Sequence, residues 1–197
     1  MTVKQFLKSQ AFKCIIVLLC IALVAGGLLS ILNDLLSVSA EERTMRAIES
    51  VYGEQLNYET LTFDESELTN EYGSIDQAYL LENGCYMLRS TGGNGYKNGT
   101  VTVWVILSES ENGFAIDRVV LEEYAKQTLM SQFSNAFYTV YTAHNDEING
   151  GVWFTVDSSG ITNVSAGATM SSRAINNAVN CALYFMRNVL SAEGGEA

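Results

Sequence analysis

The chain begins with one continuous hydrophobic run, and after it the apolar residues recur with the spacing of helices and strands. Residues 14–32 are 19 uncharged, mostly apolar positions, close to the roughly 20 residues that a helix needs to cross a bilayer. Three lysines precede the run and acidic residues follow it, so the positive-inside rule places the N-terminus in the cytoplasm. Residues 1–36 are therefore predicted to be a cytoplasmic N-terminus and a single-pass anchor in the cell membrane, with the remainder extracytoplasmic. A cleaved signal peptide is the alternative, because residues 38–40 have the small side chains of a cleavage site.

A shorter amphipathic helix is predicted directly after the anchor. Ser39 and Glu42 have the spacing of a capping box, in which each residue satisfies a free N–H group at the helix start. Apolar residues follow at helical spacing as far as Tyr52. Together with the acidic, polar residues 53–78, this helix forms a predicted juxtamembrane region, 37–78, that leads into the folded domain.

The folded domain is predicted at residues 79–197, where strand-like and helix-like periods alternate. The strand-like segments are 79–81, 84–91, 100–107, 116–122 and 151–156. Asn-Gly pairs at 83–84 and 112–113 predict hairpin turns. One helix is predicted at 128–138 and another near the C-terminus. The apolar positions of the terminal helix are Ile175, Ala178, Val179, Ala182, Leu183, Met186, Val189 and Leu190. The fold class predicted is α+β, with helices packed on an antiparallel sheet.

The net charge and the scarcity of reactive side chains reduce the number of possible function classes. The first 33 residues hold three lysines and no acid, so the rest of the chain has a net charge of −14, which argues against nucleic acid as a partner. The single histidine, His144, lies in a polar stretch without the context of a catalytic triad. Cysteine spacing does not suggest a metal site, although Cys85 and Cys181 could pair outside the membrane. The sequence predicts neither catalytic residues nor metal ligands.

The most informative local feature is the turn at residues 163–172, which leads directly into the terminal helix. It places the hydroxyl of Thr169 in the first helical turn, where free N–H groups and the helix dipole stabilise a phosphoryl group. Gly167 lets the backbone approach a bulky group closely. Ser171 and Ser172 are placed to cap the helix or to bond phosphate oxygens. The turn is therefore a candidate phosphate site, and an ordinary turn before a helix is the competing interpretation.

Three segments resemble the FMN-binding domain family. The family motif is Asp-x-x-Ser/Thr-Gly-Ala-Thr followed by x-Ser/Thr-Ser, and residues 163–172 read Asn-Val-Ser-Ala-Gly-Ala-Thr-Met-Ser-Ser. The leading acid is thus replaced by Asn163, and Ala166 precedes the glycine. The segment 95–99 followed by the strand 100–107 is similar to the family's Gly-Tyr-Gly-Gly element and its long strand. Residues 125–133 occupy the position of the loop that covers the flavin ring, without its Pro-Gly.

The resemblance implies a covalent flavoprotein. Thr169 would carry FMN through a phosphoester bond made by a flavin transferase, with Tyr96 and Leu129 near the flavin. The remaining cofactor-binding residues implied are Ser165, Ala166, Gly167, Ala168, Ser171 and Ser172. With one anchor and an external domain, the chain is most similar to the G subunits of Rnf-type complexes, which are related to the C subunits of Na+-translocating NADH:quinone reductases. Rnf-type complexes pass electrons between ferredoxin and NAD and move Na+ or H+. The implied function is an electron relay between other membrane subunits, not catalytic alone.

Two alternatives stay open from the sequence. The chain could be the membrane-anchored flavin domain of a different extracellular reductase or electron-export system. It could also be a flavin-free, membrane-tethered interaction module, which the substitutions at Asn163 and Ala166 permit.

Overall fold

The computed structural model describes residues 10–36, 39–111 and 113–191, without the side chains of residues 10–13, 31–36 and 40. The chain divides into two compact units, Met1–Glu54 and Gln55–Ala197, which are described separately. Lys4, Lys8 and Asn112, and the side chains of residues 31 and 32 in the expected anchor, lie outside the described part.

The first unit consists of two helices, α1 at Gln10–Leu36 and α2 at Ala40–Tyr52. The side chains of residues 14–30 in α1 are all exposed. Over the residues that the structure describes, no helix combines the length and the apolar character that crossing a membrane requires. Ser39 caps α2 by accepting a 3.1 Å bond from the Glu42 N–H, as predicted. The Glu42 carboxylate pairs with Arg46.

The second unit is built on an antiparallel sheet of five strands in sequence order. The strands are β1 Tyr58–Leu61, β2 Gly73–Leu81, β3 Tyr86–Gly92, β4 Val101–Ser110 and β5 Gly113–Tyr124. Gly84 takes a φ of 81° between β2 and β3, so the hairpin predicted at residues 83–84 is confirmed. Because each strand pairs with its neighbour in the sequence, the sheet needs no crossover connection.

Short helices and turns connect the sheet to one long helix. Beyond 3₁₀ turns at Tyr96–Asn98 and Met130–Gln132, they are α3 at Asn135–Thr139, a 3₁₀ turn at Val140–Ala143 and α4 at Asn145–Asn149. A parallel pair follows, β6 at Phe154–Thr155 and β7 at Ile161–Thr162. Helix α5 spans Thr169–Phe185 and ends in a π turn at Met186–Leu190. The predicted α+β class with helices packed on an antiparallel sheet is therefore confirmed.

The hydrophobic core lies between α5 and one face of the sheet. Leu88, Val103 and Val105 alternate onto that face and are fully buried, as expected for strands with one covered side. Of the eight apolar positions predicted for the terminal helix, all but Leu190 are buried. The short helical segments pack on β6 through edge-to-face aromatic contacts, including Tyr141 with Phe154 at 4.7 Å between ring centroids. Because the core faces of α5 and the sheet are covered, the position and rotation of α5 are fixed.

The structure corrects two predicted elements. The continuous helix at 128–138 is wrong, because Phe133 and Ser134 are extended and separate a 3₁₀ turn from α3. Ser134 stands at the N-cap position of α3 with an extended backbone, a position that serine favours, so a new helix begins there. The strand at 151–156 is reduced to Phe154–Thr155, because the side chain of Asn180 bonds both the N–H and the C=O of Phe154. An amide side chain thus replaces a neighbouring strand.

The start of the folded unit also differs from the predicted boundary at residue 79. The second unit begins at Gln55, and residue 79 falls within β2. Strand β1 lies in the segment expected to be rich in loops, and it pairs with β2 from Tyr58 opposite Leu81 to Leu61 opposite Ala78. Residues 55–78 therefore belong to the domain.

Candidate functional site

The turn before α5 is held by backbone and serine hydrogen bonds. The Ala168 N–H donates to the Ser165 carbonyl at 3.0 Å, and Gly167 has a φ of 80°, a left-handed conformation that favours glycine. The Ser165 N–H donates to Ser172 Oγ at 2.9 Å, and that hydroxyl donates to the Ala168 carbonyl. Ser172 thus holds the turn from inside the helix, and its hydroxyl is occupied.

Thr169 is the first residue of α5 and is exposed. Among the described residues, its hydroxyl has no hydrogen-bond partner. Ala168 occupies the N-cap position and has no side chain that could accept from the first-turn N–H groups. A free hydroxyl and uncapped N–H groups therefore lie together at the positive end of a helix of 17 residues.

Asn163, at the place of the family's acidic residue, is buried and structural. Its Nδ2 donates to the Phe137 carbonyl at 3.3 Å, and its own carbonyl accepts from Asn176 Nδ2 at 2.9 Å. Asn176 also accepts from the Tyr141 hydroxyl at 2.7 Å. Burial raises the pKa of Tyr141 well above its usual value, so this hydroxyl remains a donor. The amide network attaches the start of the turn to the core.

Gln127 connects a second loop to the start of α5. Its Oε1 accepts from Ser171 Oγ at 2.8 Å and from the Tyr96 N–H at 3.2 Å. The Tyr96 loop is conformationally unusual, since Asn94, Lys97 and Asn98 all have positive φ. Two predicted site residues, Tyr96 and Ser171, are thus brought together through a residue that the sequence analysis missed, because a single glutamine has no distinguishing pattern.

Leu129 and Tyr96 are both exposed, and Ser165 is half-buried while Ala166 and Gly167 are exposed. The predicted residues therefore form two groups around the first turn of α5. One is the turn that contains Thr169, and the other is the Tyr96 loop. The described contacts do not include one between Thr169 and either Tyr96 or Leu129.

A cavity of about 510 Å³ lies along the outer face of α5. Its walls include Tyr72, Trp153, Asp157, Ser159, Arg173 and Asn177. Hydrogen bonds from Ser159 lower the pKa of Asp157 below its usual value, so this carboxylate is charged at neutral pH. The sequence analysis did not find the cavity, although Arg173 and Asn177 could have been placed on the Thr169 side of the helix by their spacing.

The other reactive side chains do not converge on this region. His144 pairs with Glu147 at 3.0 Å on α4. Cys85 and Cys181 do not form a disulfide, so the pairing left open by the sequence is not present. Within the described part of the chain, no cluster of His, Cys, Asp and Glu has the geometry to hold a metal ion.

Comparisons with protein-family models, with curated proteins and with solved structures found no match to this chain.

Proposed function

We propose that this protein is a membrane-anchored electron carrier with FMN attached to Thr169 through a phosphoester bond. The observation that carries the proposal is the exposed hydroxyl of Thr169 at the start of α5, which has no hydrogen-bond partner or capping side chain among the residues that the structure describes. A phosphate at this position would accept hydrogen bonds from first-turn N–H groups and would meet the positive end of the helix dipole.

The surroundings of Thr169 support a bulky substituent. Ala166 and Gly167 are exposed and small, so the hydroxyl is open to an attaching enzyme and to the ribityl arm of the flavin. Ser165 and Ser172 fix the turn through the 2.9 Å bond between them, and Ser171 is fixed by Gln127. The support for Thr169 is therefore rigid, which is the protein's contribution when the cofactor supplies the redox chemistry.

The cellular role proposed is a relay subunit of an Rnf-type complex that transfers electrons between ferredoxin and NAD and moves Na+ or H+. This part of the proposal rests on the sequence resemblance and on the apolar run at residues 14–32 with its preceding lysines. The domain would lie outside the cytoplasm, take electrons from one membrane subunit and pass them to another. A different extracellular flavin-dependent reductase would use the same domain with other partners.

The direct test is to co-express the full chain with a flavin transferase and measure intact mass and in-gel flavin fluorescence. We expect a mass gain of one FMN less water in the wild type and none in Thr169→Ala. Thr128→Ala is the matched control, because Thr128 is also an exposed threonine near the start of α5 and should remain fluorescent. Alkaline carbonate extraction of the same cells should leave the chain in the membrane pellet.

An unmodified, colourless wild-type chain would contradict the proposal and favour the flavin-free interaction module. Modification that persists in Thr169→Ala would contradict the assigned residue alone.

A further inference from the structure

We propose that the surface around the start of α5 docks on a phospholipid bilayer that contains anionic head groups. This surface, the basic face, is formed by the loop 94–99, the segment 124–132 and the turn and first helical residues 163–170. The inference shares only the membrane anchor with the proposed function and does not depend on the flavin.

The three segments of the basic face are distant in the sequence and are held together by specific contacts. Gln127 Oε1 accepts from the Tyr96 N–H and from Ser171 Oγ, which joins the first two segments to α5. A Cβ atom added at Gly167 would lie 3.9 Å from Gln132 Oε1, so the turn lies beside the end of the second segment. The basic face is therefore one surface of the folded domain.

The basic face carries most of the exposed large apolar side chains of the domain. Among the described residues from Gln55 onward, six such side chains are exposed. Five of them belong to the basic face: Tyr96, Tyr124, Leu129, Val164 and Met170. Tyr124 lies opposite Val101, a core residue, and cross-strand partners share a side of the sheet, so Tyr124 is on the α5 side. Exposed apolar side chains that are grouped and rimmed by polar residues mark an interaction site.

The basic face also lies in the part of the sequence that has no acidic residues. The chain has 22 acidic and 11 basic residues. Positions 83–108, 124–145 and 158–191, which supply the whole basic face, contain neither Asp nor Glu. The basic face is therefore the part of an otherwise acidic domain that an anionic surface attracts.

Two lysines on the basic face are available for such an attraction. Lys97 and Lys126 are exposed, and neither forms a salt bridge within the described part of the chain. The nearest acids before the second segment, Glu122 and Glu123, each pair with Arg89 at 2.6 Å. These carboxylates therefore do not neutralise the lysines.

The composition of the basic face favours a bilayer over an acidic protein as the partner. Protein interfaces are enriched in arginine and depleted in lysine, whereas lysine extends its charged end toward lipid head groups. The cations of the basic face are lysines, and Arg173 beside it already interacts electrostatically with Asp157. Lys97 Nζ lies 5.3 Å from the centroid of the Tyr96 ring, so one exposed pair offers a cation and the amphipathic ring that is common at membrane interfaces.

The proposed anchor makes weak docking sufficient. The apolar run at residues 14–32 would keep the domain at a high effective concentration near the lipid. Because the rest of the domain is acidic, repulsion from anionic head groups would turn the basic face toward the membrane. Docking would also hold Thr169, and a flavin attached to it, at the membrane surface.

The experiment is hydrogen–deuterium exchange of the full chain in vesicles, measured by mass spectrometry. The chain is produced without flavin transferase and reconstituted in phosphatidylcholine alone or mixed with phosphatidylglycerol. We expect the three segments of the basic face to exchange several-fold more slowly in the mixed vesicles. High salt should remove this difference because it screens the charges. Lys126→Gln should lower the docking equilibrium constant about fivefold, the contribution of one lysine at an anionic surface.

Two matched controls separate the basic face from the rest of the domain. Arg118→Gln removes an exposed charge that lies six residues before Tyr124 on β5, about 20 Å along the strand. Leu129→Ser is compared with Val152→Ser, because both side chains are exposed and only Leu129 belongs to the basic face. We expect Leu129→Ser to weaken docking and both controls to leave it unchanged, and a melting curve confirms that each variant is folded.

Equal exchange in the two kinds of vesicle would overturn the inference, as would equal losses of docking in Lys126→Gln and Arg118→Gln. If neither lipid slows exchange at the basic face, an acidic protein is the better candidate for its partner. These outcomes leave attachment at Thr169 untouched, because the mass gain decides it. Docking by a chain that never gains the mass of FMN would contradict the proposed function alone.

Discussion

At the scale of single residues, the most consequential side chain in the domain is Asn176. It is fully buried within α5, and its side-chain amide forms three hydrogen bonds. Its Nδ2 donates to the carbonyls of Thr155 and Asn163 at 2.9 Å each, while its Oδ1 accepts from Tyr141. One amide therefore connects the terminal helix to β6, to the turn that leads to Thr169 and to the buried side chain of Tyr141.

We predict that Asn176→Ala lowers the free energy of unfolding by about 2–4 kcal/mol, because it removes three buried hydrogen bonds and leaves the Tyr141 hydroxyl and the Asn163 carbonyl without the partner that Asn176 provides. Urea denaturation of the loaded and unloaded protein measures this. Asn188→Ala is the control, since Asn188 is exposed and bonds only the Tyr184 carbonyl of its own helix, and its loss should cost less than about 1 kcal/mol. Equal losses in the two variants would contradict the role assigned to the buried network.

At the scale of elements, β3 and α5 pack closely against each other at Gly92. A Cβ atom added at Gly92 would lie 2.2 Å from both the Ala174 carbonyl oxygen and the Ala178 backbone nitrogen. These are backbone atoms of a helix and cannot rotate away. Glycine at this position therefore allows α5 to lie directly on the sheet.

Substituting this glycine should separate the two elements. We predict that Gly92→Ala lowers the free energy of unfolding by about 2–3 kcal/mol, the usual cost of overpacking a core. Gly93→Ala is the matched control one residue later, because a Cβ there meets no atom within 4 Å. Chemical denaturation of both variants is the measurement, and a Gly92→Ala protein as stable as the control would contradict the tight contact.

Elements defined by local patterns were predictable, and those defined by distant contacts were not. The terminal helix followed from its apolar spacing and the hairpin at 83–84 from Asn-Gly, both short-range properties. Strand β1 was missed because its four residues are recognisable only by pairing with β2. The helix predicted at 128–138 was wrong because its apolar spacing runs across Phe133 and Ser134, whose extended backbone ends one turn and begins a new helix at Asn135.

The candidate site likewise contains one residue that a local pattern predicts and others that only the fold brings near it. The position of Thr169 at the start of a helix could be predicted, because the small-residue turn and the apolar period are adjacent in the sequence. Gln127, Tyr72 and Trp153 come from separate segments that only the fold brings to α5. Sequence alone therefore places the proposed attachment residue but not the cavity along α5.

At the scale of the whole molecule, the fold depends on acidic groups that are buried in their neutral form. Burial raises the pKa of Tyr138 to about 12 and raises that of Tyr141 well above its usual value. Burial likewise raises the pKa of the Cys181 thiol to about 11. Below the unfolded pKa values these groups are protonated in both states, so they add no pH dependence near neutrality.

Above about pH 10, where an unfolded tyrosine begins to ionise, the unfolded chain releases protons that the folded chain retains. We therefore predict that stability falls as pH rises from about 10 to 12, by up to about 1.4 kcal/mol per pH unit for each such tyrosine, in addition to a loss from the Cys181 thiol that begins at about pH 8.5. Urea denaturation at pH 8, 10 and 11 measures the slope. Tyr138→Phe isolates one contribution, because the Tyr138 hydroxyl is buried without a hydrogen-bond partner among the described residues. The variant should match or exceed the wild type at pH 8 and lose less stability by pH 11. An unchanged slope would show that Tyr138 ionises equally in the folded and unfolded chain, contrary to the burial of its hydroxyl.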